Sequence, residues 1–335
     1  SIGDYAFSYG RGLTSITIGN SVKSIGDFVF RGCSSLTSVT IGSGVTSIGD
    51  YTFQNCSGLT SVTIGSGVTS IGEKAFVNCS SLTSIVIPNS VTSIGEEAFS
   101  GCEGLKSVTI GSGVTSIGEK AFVNCSSLTS VAIPNSVTSI GERAFDTCSS
   151  LTSINIPDNV TSIGDYAFRD CSGLRSITLG NSLESIGRDA FRDCSGLTSI
   201  KIPDSVKSIG DYAFHGCRGL TSITIPDSVT SIEDRAFSGC SGLTSVVIKG
   251  NIIEIPDYCF RNCSNLESIV LPSSITTIGN KAFSGCSKLT TIYFDSADAT
   301  AITGLGFKLA EDGKKYNENG IEDANGTYYK YSGTI

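Results

Sequence analysis

Thirteen cysteines, a single histidine and a recurring carboxylate are the residues of this 335-residue chain whose types could do chemistry. Twelve of the cysteines fall at 33, 56, 79, 102, 125, 148, 171, 194, 217, 240, 263 and 286, one every 23 residues. Metal ligation needs clustered thiolates such as C-x-x-C, and a 23-residue ladder offers none. In a parallel stack neighbouring Cα atoms would sit about 4.8 Å apart, inside the disulfide range, but their Cβ vectors would point the same way. The ladder, with Cys79, Cys102, Cys125 and Cys148 at its centre, is therefore read as buried thiols that fill small apolar spaces. Cys259, four residues before Cys263, has the same reading. Free thiols in such number are unusual for an oxidising compartment.

His215 occupies a slot that elsewhere mostly holds Ser, Arg, Val or Gln, so it is expected to be exposed. A nucleophile-base pair needs a base oriented by a third group, and the abundant serines supply only chance neighbours. The position after I-G is Asp or Glu in eleven of thirteen copies, with Arg188 and Asn280 as exceptions. Carboxylates there are expected to cap short helical turns, with binding of divalent cations by stacked acids as the alternative. The G-x-G of Gly42 to Gly44 is followed by V-T-S-I-G and not by x-x-G opening a helix, so it reads as a turn and not a phosphate loop. These residues give no catalytic, cofactor-binding or metal-binding assignment.

The elements that position these groups are copies of one motif. Phe recurs at 7, 30, 53, 76, 99, 122, 145, 168, 191, 214, 237, 260 and 283, always 23 apart. The shared template is I-G-x-x-A-F-x-x-C-x-x-L-x-x-I-x-I-P-x-x-V-x-x. Within it L-x-x-I-x-I, as at Leu82, Ile85 and Ile87, ends in period-two alternation and reads as a short strand that Pro88 or Gly111 terminates. V-x-x-I-G, as at Val91 to Gly95, suggests a second short strand. In A-F-x-x-C the i, i+3 spacing places Phe and Cys on one face of a single helical turn. One copy cannot bury its apolar face, but stacking lays each Phe on the next, so Phe76, Phe99, Phe122 and Phe145 are expected to form the spine of a solenoid.

The spaced residues L-x-x-I-x-I-P-x-x-V-x-x-I-G-x-x-A-F-x-x-C resemble the BspA-like class of leucine-rich repeats over roughly residues 1 to 293. The resemblance implies an α/β repeat fold: a right-handed solenoid with a parallel β-sheet, about thirteen coils and short helical turns at the corners. It also implies a cell-surface or secreted protein of a host-associated microbe that binds host matrix proteins or other cells. Pro256 and Cys259 in place of Gly and Ala, Glu233 in place of Gly, and Gly10 in place of the first Cys are local departures. From Phe294 the phase is lost, and Asp312-Gly313, Asn319-Gly320 and Asn325-Gly326 signal hairpin turns. Residues 294–335 are expected to be a C-terminal cap or the start of a following β-rich segment. The chain opens in mid-motif without Met, so it reads as a fragment whose targeting signal, if any, lies outside it.

A net charge of -8 with scattered basic residues supplies neither a basic stripe for nucleic acid nor a polybasic patch for lipid. No apolar run approaches the roughly 18 residues that span a bilayer. Two features remain as binding candidates. Tyr5, Phe28 and Tyr51 follow the acidic slot on consecutive copies and are expected to form an aromatic strip that grips protein or sugar, or else merely shields the corners. The outward strand face is Ser then Thr in most copies, with Asn155 and Lys201 as exceptions. The sequence thus points to a non-enzymatic module that binds a host or microbial surface protein or glycan. The alternative is a structural spacer that presents another domain.

Overall fold

The structure is a computed structural model that describes residues 1–295, 302, 305–310, 312, 314–317, 320, 322–324 and 326–333. The chain folds as two compact units, Ser1–Leu174 and Arg175–Ile335. Both are parallel-strand β-solenoids of the leucine-rich-repeat kind, with about twelve turns in all.

Strands form where β-branched residues alternate with Ser and Thr, because such side chains pack well on a pleated, half-buried surface. In the first unit Ser15–Ile18 pairs parallel with Ser38–Ile41, and Ser84–Val86, Ser107–Thr109, Ser130–Ala132 and Ser153–Asn155 pair in sequence. Every register step is one repeat, as in Ser15 opposite Ser38. The Thr that precedes most strands tightens the stack, since the Thr37 hydroxyl donates to Thr14 O at 2.9 Å and the Thr60 hydroxyl to Thr37 O at 2.9 Å. A second line of two-residue strands, such as Ser47–Ile48 with Ser70–Ile71 and Ser93–Ile94, carries the V-x-x-I-G segments.

The expected α/β class and its helical corner turns are not what the chain forms, for no helix occurs among residues 1–295. The corners are tandem turns. In the third copy Tyr51 and Asn55 both take left-handed backbone conformations, with φ of 56° and 58°, which no α-helix tolerates. Their hydrogen bonds differ from a helix accordingly. Gln54 N–H and Cys56 N–H donate three residues back, to Tyr51 O and Phe53 O at 3.1 Å. Between them Tyr51, Phe53 and Asn55 N–H donate to Glu73, Ala75 and Val77 of the next copy at 2.7 to 2.9 Å. The corner is thus another inter-coil ladder, and the i, i+3 spacing of Phe and Cys reflects turns that bring both side chains inward.

Inside the first unit the Phe rings from Phe7 to Phe168 stack in one column, with centroids 5.1 to 5.4 Å apart. In the second unit Phe191 to Phe283 repeat the column at 5.3 to 5.6 Å. Phe76, Phe99, Phe122 and Phe145 are wholly buried, as are Cys79, Cys102, Cys125 and Cys148. The second unit ends in antiparallel pairing: Tyr329–Ser332 lies against Thr291–Phe294 and also against Lys308–Leu309. Tyr316 bridges antiparallel to Glu322 and Tyr328. Of the residues expected to turn those hairpins, Gly313, Asn319 and Asn325 lie outside the described residues.

Candidate functional site

The groups with chemical potential are used up by the stack. All thirteen cysteines are buried as thiols. Each ladder thiol does more than fill space: Cys56 Sγ donates to Phe30 O of the preceding coil at 3.0 Å, and Cys79, Cys102, Cys125 and Cys148 repeat the contact at 3.2 to 3.3 Å. Phe30 O also accepts from Cys33 N–H at 3.1 Å, so one carbonyl joins two coils through a thiol. Burial pushes the Cys56 and Cys240 thiols up, each to about 12, which disfavours the reactive thiolate there. Cys259 fills the Ala slot, fully buried.

The carboxylates likewise cap, but not helices. Asp4 Oδ1 accepts from Asp27 N–H at 2.9 Å, Asp27 Oδ1 from Asp50 N–H at 2.8 Å, and Asp50 Oδ1 from Glu73 N–H at 2.7 Å. Each acid satisfies the backbone donor of the same slot one coil on. Among the described residues no group of three or more His, Cys, Asp or Glu could hold a metal ion. His215 is half-buried where exposure was expected, because its column is crowded: it meets Tyr212 edge-on at 5.6 Å, and its Nδ1 is buried without a hydrogen-bond partner. Burial lowers its pKa, with Asp193, Asp189, Arg192 and Arg218 as its charged neighbours.

The surface candidates are placed as follows. Tyr5, Phe28 and Tyr51 stack face to face, with centroids 4.8 and 4.7 Å apart and planes within 10°. Tyr5 is 56% exposed and Phe28 and Tyr51 are half-buried, whereas Phe30 and Phe53 behind the latter two are wholly buried. All three sit at the left-handed corner position, with φ of 56° to 58°, which turns their side chains outward beside the acid slot. The strip ends at an ion cluster. Tyr51 Oη donates to Glu73 Oε1 at 2.7 Å, Lys74 Nζ donates to the same oxygen at 2.7 Å, and Lys74 lies 5.4 Å over the Tyr51 ring. These bonds lower the Glu73 pKa and raise those of Tyr51 and Lys74.

This combination of a 23-residue parallel register, stacked Phe and outward corner residues has a counterpart among known proteins. The family model described as BspA type leucine-rich repeat region matches residues 1–125, 69–198 and 184–308. The chain belongs to the BspA-type leucine-rich repeat family. A solved leucine-rich repeat protein from Bacteroides ovatus is 36% identical, with a TM-score of 0.76 over 83% of this chain and 74% of that one. A leucine-rich cell surface protein from Faecalibacterium prausnitzii is also 36% identical over 84% of this chain and 85% of that one, with a TM-score of 0.48. No curated protein matches the chain.

Within this BspA-type frame the remaining candidates fall apart from the aromatic strip. Asn155 is exposed on the outward strand face of the first unit, opposite Ala132. Lys201 is exposed on the corresponding face of the second unit and lines a cavity there. The sequence reading missed the cations that lie over the rings of the aromatic corner column. Arg143 and Arg169 lie 4.8 and 5.3 Å from the Tyr166 ring, and Arg235 lies 5.3 Å from Tyr212 and 4.4 Å from Tyr258. It also missed Asp146 and Asp189, each 2% exposed. Asp146 accepts two bonds from Arg169 at 3.0 and 2.8 Å, and Asp189 faces Arg188 and Arg192 at 3.3 and 3.2 Å. The signal was present, since both aspartates interrupt columns otherwise filled by larger or uncharged residues.

Proposed function

We propose that this BspA-type repeat is a non-enzymatic binding module of a microbial cell-surface or secreted protein, with a host or microbial surface protein or glycan as its ligand. The observation that carries the reading is the Tyr5, Phe28 and Tyr51 column. Three rings in register at 4.7 to 4.8 Å present a continuous strip of ring edges, 56% exposed at Tyr5 and half-buried at Phe28 and Tyr51, whereas Phe30 and Phe53 of the latter two copies are wholly buried. Such rings bury much area at low entropy cost, and Tyr adds a hydroxyl for orientation. Catalysis is disfavoured because the thiols are locked as donors to carbonyls and His215 meets an aromatic ring rather than a nucleophile. Residues 294–335 fit the role of a cap, since the antiparallel strand Tyr329–Ser332 covers the outer edge of Thr291–Phe294 and so protects a sheet edge.

A binding screen against matrix proteins, mucins and glycans, run with the wild type and with a Tyr5→Ser, Phe28→Ser, Tyr51→Ser variant, tests the reading. Saturable binding lost in the variant supports it. Binding that the variant retains moves the site elsewhere, and uniform absence of binding by a folded protein supports a structural spacer.

A further inference from the structure

Three lines of inter-coil bonds run along the second unit: the longer strands, the two-residue strands and the corners. Around the turn from Thr221 to Leu243 a different line fails on each side. Toward the preceding turn the longer strands part. Ser199 forms a single bridge to Ser176, Ser222–Ile225 starts a new ladder, and no pairing among the described residues joins Lys201 and Ile202 to Thr224 and Ile225. The flanking bond is stretched, with Thr221 N–H reaching Thr198 O at 3.4 Å against 2.9 Å from Thr244 N–H to Thr221 O one turn on.

Toward the following turn the two-residue strands part. Ser231–Ile232 ends one sheet, and Glu254–Ile255 begins another. Thr276 and Thr277 N–H both donate to Ile253 O, at 2.9 and 3.3 Å, but among the described residues neither Ile253 N–H nor Glu254 N–H donates to Thr230 O. Pro256 supplies a chemical cause. In the neighbouring turns the residue of its slot closes the ladder, Glu233 N–H donating to Ile209 O at 2.9 Å and Gly279 N–H to Ile255 O at 2.7 Å. Pro256 has no N–H to give, so Ile232 O loses that bond. An open cavity lies in each gap, of about 550 Å³ beside Lys201 and Thr224 and about 280 Å³ beside Ile232 and Pro256.

Each missing line is present on the turn's other side, where Ser222–Ile225 pairs with Ser245–Ile248 and Ser231–Ile232 with Ser208–Ile209. The corner line is intact on both sides. Phe214 N–H donates to Ala236 O at 2.7 Å and Phe237 N–H to Cys259 O at 3.0 Å, and the rings of Phe214, Phe237 and Phe260 stay stacked at 5.3 and 5.4 Å. Local opening costs least where few bonds join an element to its neighbours. We propose that the turn Thr221–Leu243 is a hinge of the second unit, whose strand segments open from the neighbouring turns about the intact corner line. Opening alters the spacing of the outward strand face beside Lys201, so that face adjusts its curvature. The motion belongs to the free chain and needs no ligand.

Native-state hydrogen exchange of the full chain, read at single amides by NMR, tests the hinge. Thr230 N–H to Lys207 O and Thr244 N–H to Thr221 O, both 2.9 Å, match Thr69 N–H to Thr46 O at 2.8 Å and Thr60 N–H to Thr37 O at 2.9 Å in the first unit, so a difference in exchange reports opening and not bond length. Thr230 and Thr244 should exchange at least about tenfold faster than Thr69 and Thr60, while the corner amides of Phe214 and Phe237 stay as protected as those of Phe53 and Phe76. Pro256→Gly, which returns a donor for Ile232 O, should slow Thr230 at least about tenfold. Equal protection of Thr230 and Thr69 and of Thr244 and Thr60 in the wild type would overturn the hinge. Corner amides that exchange as fast as the strand amides would replace a pivot by unfolding of the whole turn and overturn it too. So would a folded Pro256→Gly protein in which Thr230 exchanges as before.

Discussion

Truncation of Phe145 probes the stacked spine directly. The ring is wholly buried and lies 5.4 Å from Phe122 and 5.3 Å from Phe168. Replacing a buried Phe by Ala costs about 3–5 kcal/mol, lost transfer energy and the residual cavity together. Two ring contacts, each worth about 0.5–1.5 kcal/mol beyond area, place Phe145→Ala near the top of that range, at about 4–5 kcal/mol. Phe7 provides the internal comparison. It is 46% exposed, its one stacked neighbour on the spine is Phe30 at 5.4 Å, and Phe7→Ala should cost only about 1.5 kcal/mol. Urea unfolding followed by circular dichroism gives the global comparison. Because repeats couple mainly to their neighbours, maleimide labelling of Cys125 and Cys148 at rising urea gives the local one. A Phe145→Ala protein no less stable than Phe7→Ala would refute the stacked spine as the source of stability.

The thiols supply another expectation: denatured without reductant, the chain should titrate with thirteen free thiols, while the native protein near pH 8 should resist alkylation at Cys56 and Cys240, which burial holds at about 12. His215 binds its proton more weakly folded than unfolded, so the unfolded chain carries the excess proton below about pH 6.5 and stability should fall as pH drops through that value. His215→Gln should flatten this loss between about pH 7 and 5, measured by urea midpoints; an unchanged slope would remove His215 from the account. Gly101, at φ 69°, occupies the second left-handed corner position, where a Cβ would fall 2.3 Å from Asn78 Oδ1. Gly101→Ala should cost about 1–2 kcal/mol in thermal or urea unfolding, and Gly101→Asn less, because Asn tolerates this conformation and stacks as Asn78 does on Asn55 at 3.0 Å.

Period and core were legible because both rest on residue type at fixed spacing. A Phe every 23 residues beside β-branched pairs has few packings available, and the family follows from the same spacing. The corners were misread because A-F-x-x-C has helical spacing while its decisive residue is the one before Cys. That slot is Gly, Asn or Asp in most copies, the types that accept left-handed φ, and it carries positive φ in Asn55, Asn78 and Asp170 alike. The first left-handed slot gave no such signal, since Tyr51, Lys74 and Glu97 adopt φ of 52° to 56° only because the inter-coil bonds on either side hold them there. The carboxylate partners were hidden for a related reason: a cap that acts 23 residues away looks like a local one in sequence. Lys201 stood out as an exception on the Ser and Thr face, but the gap beside it depends on a lost ladder pairing that no residue type announces.

The most direct test of a binding module built on an outward aromatic column is the paired screen of wild type and the Tyr5, Phe28, Tyr51 triple Ser variant against matrix proteins, mucins and glycans. The account predicts saturable binding by the wild type to at least one surface protein or glycan, weakened at least tenfold in a variant with unchanged circular dichroism. Equal binding by both proteins, or none by a well-folded wild type, would contradict it.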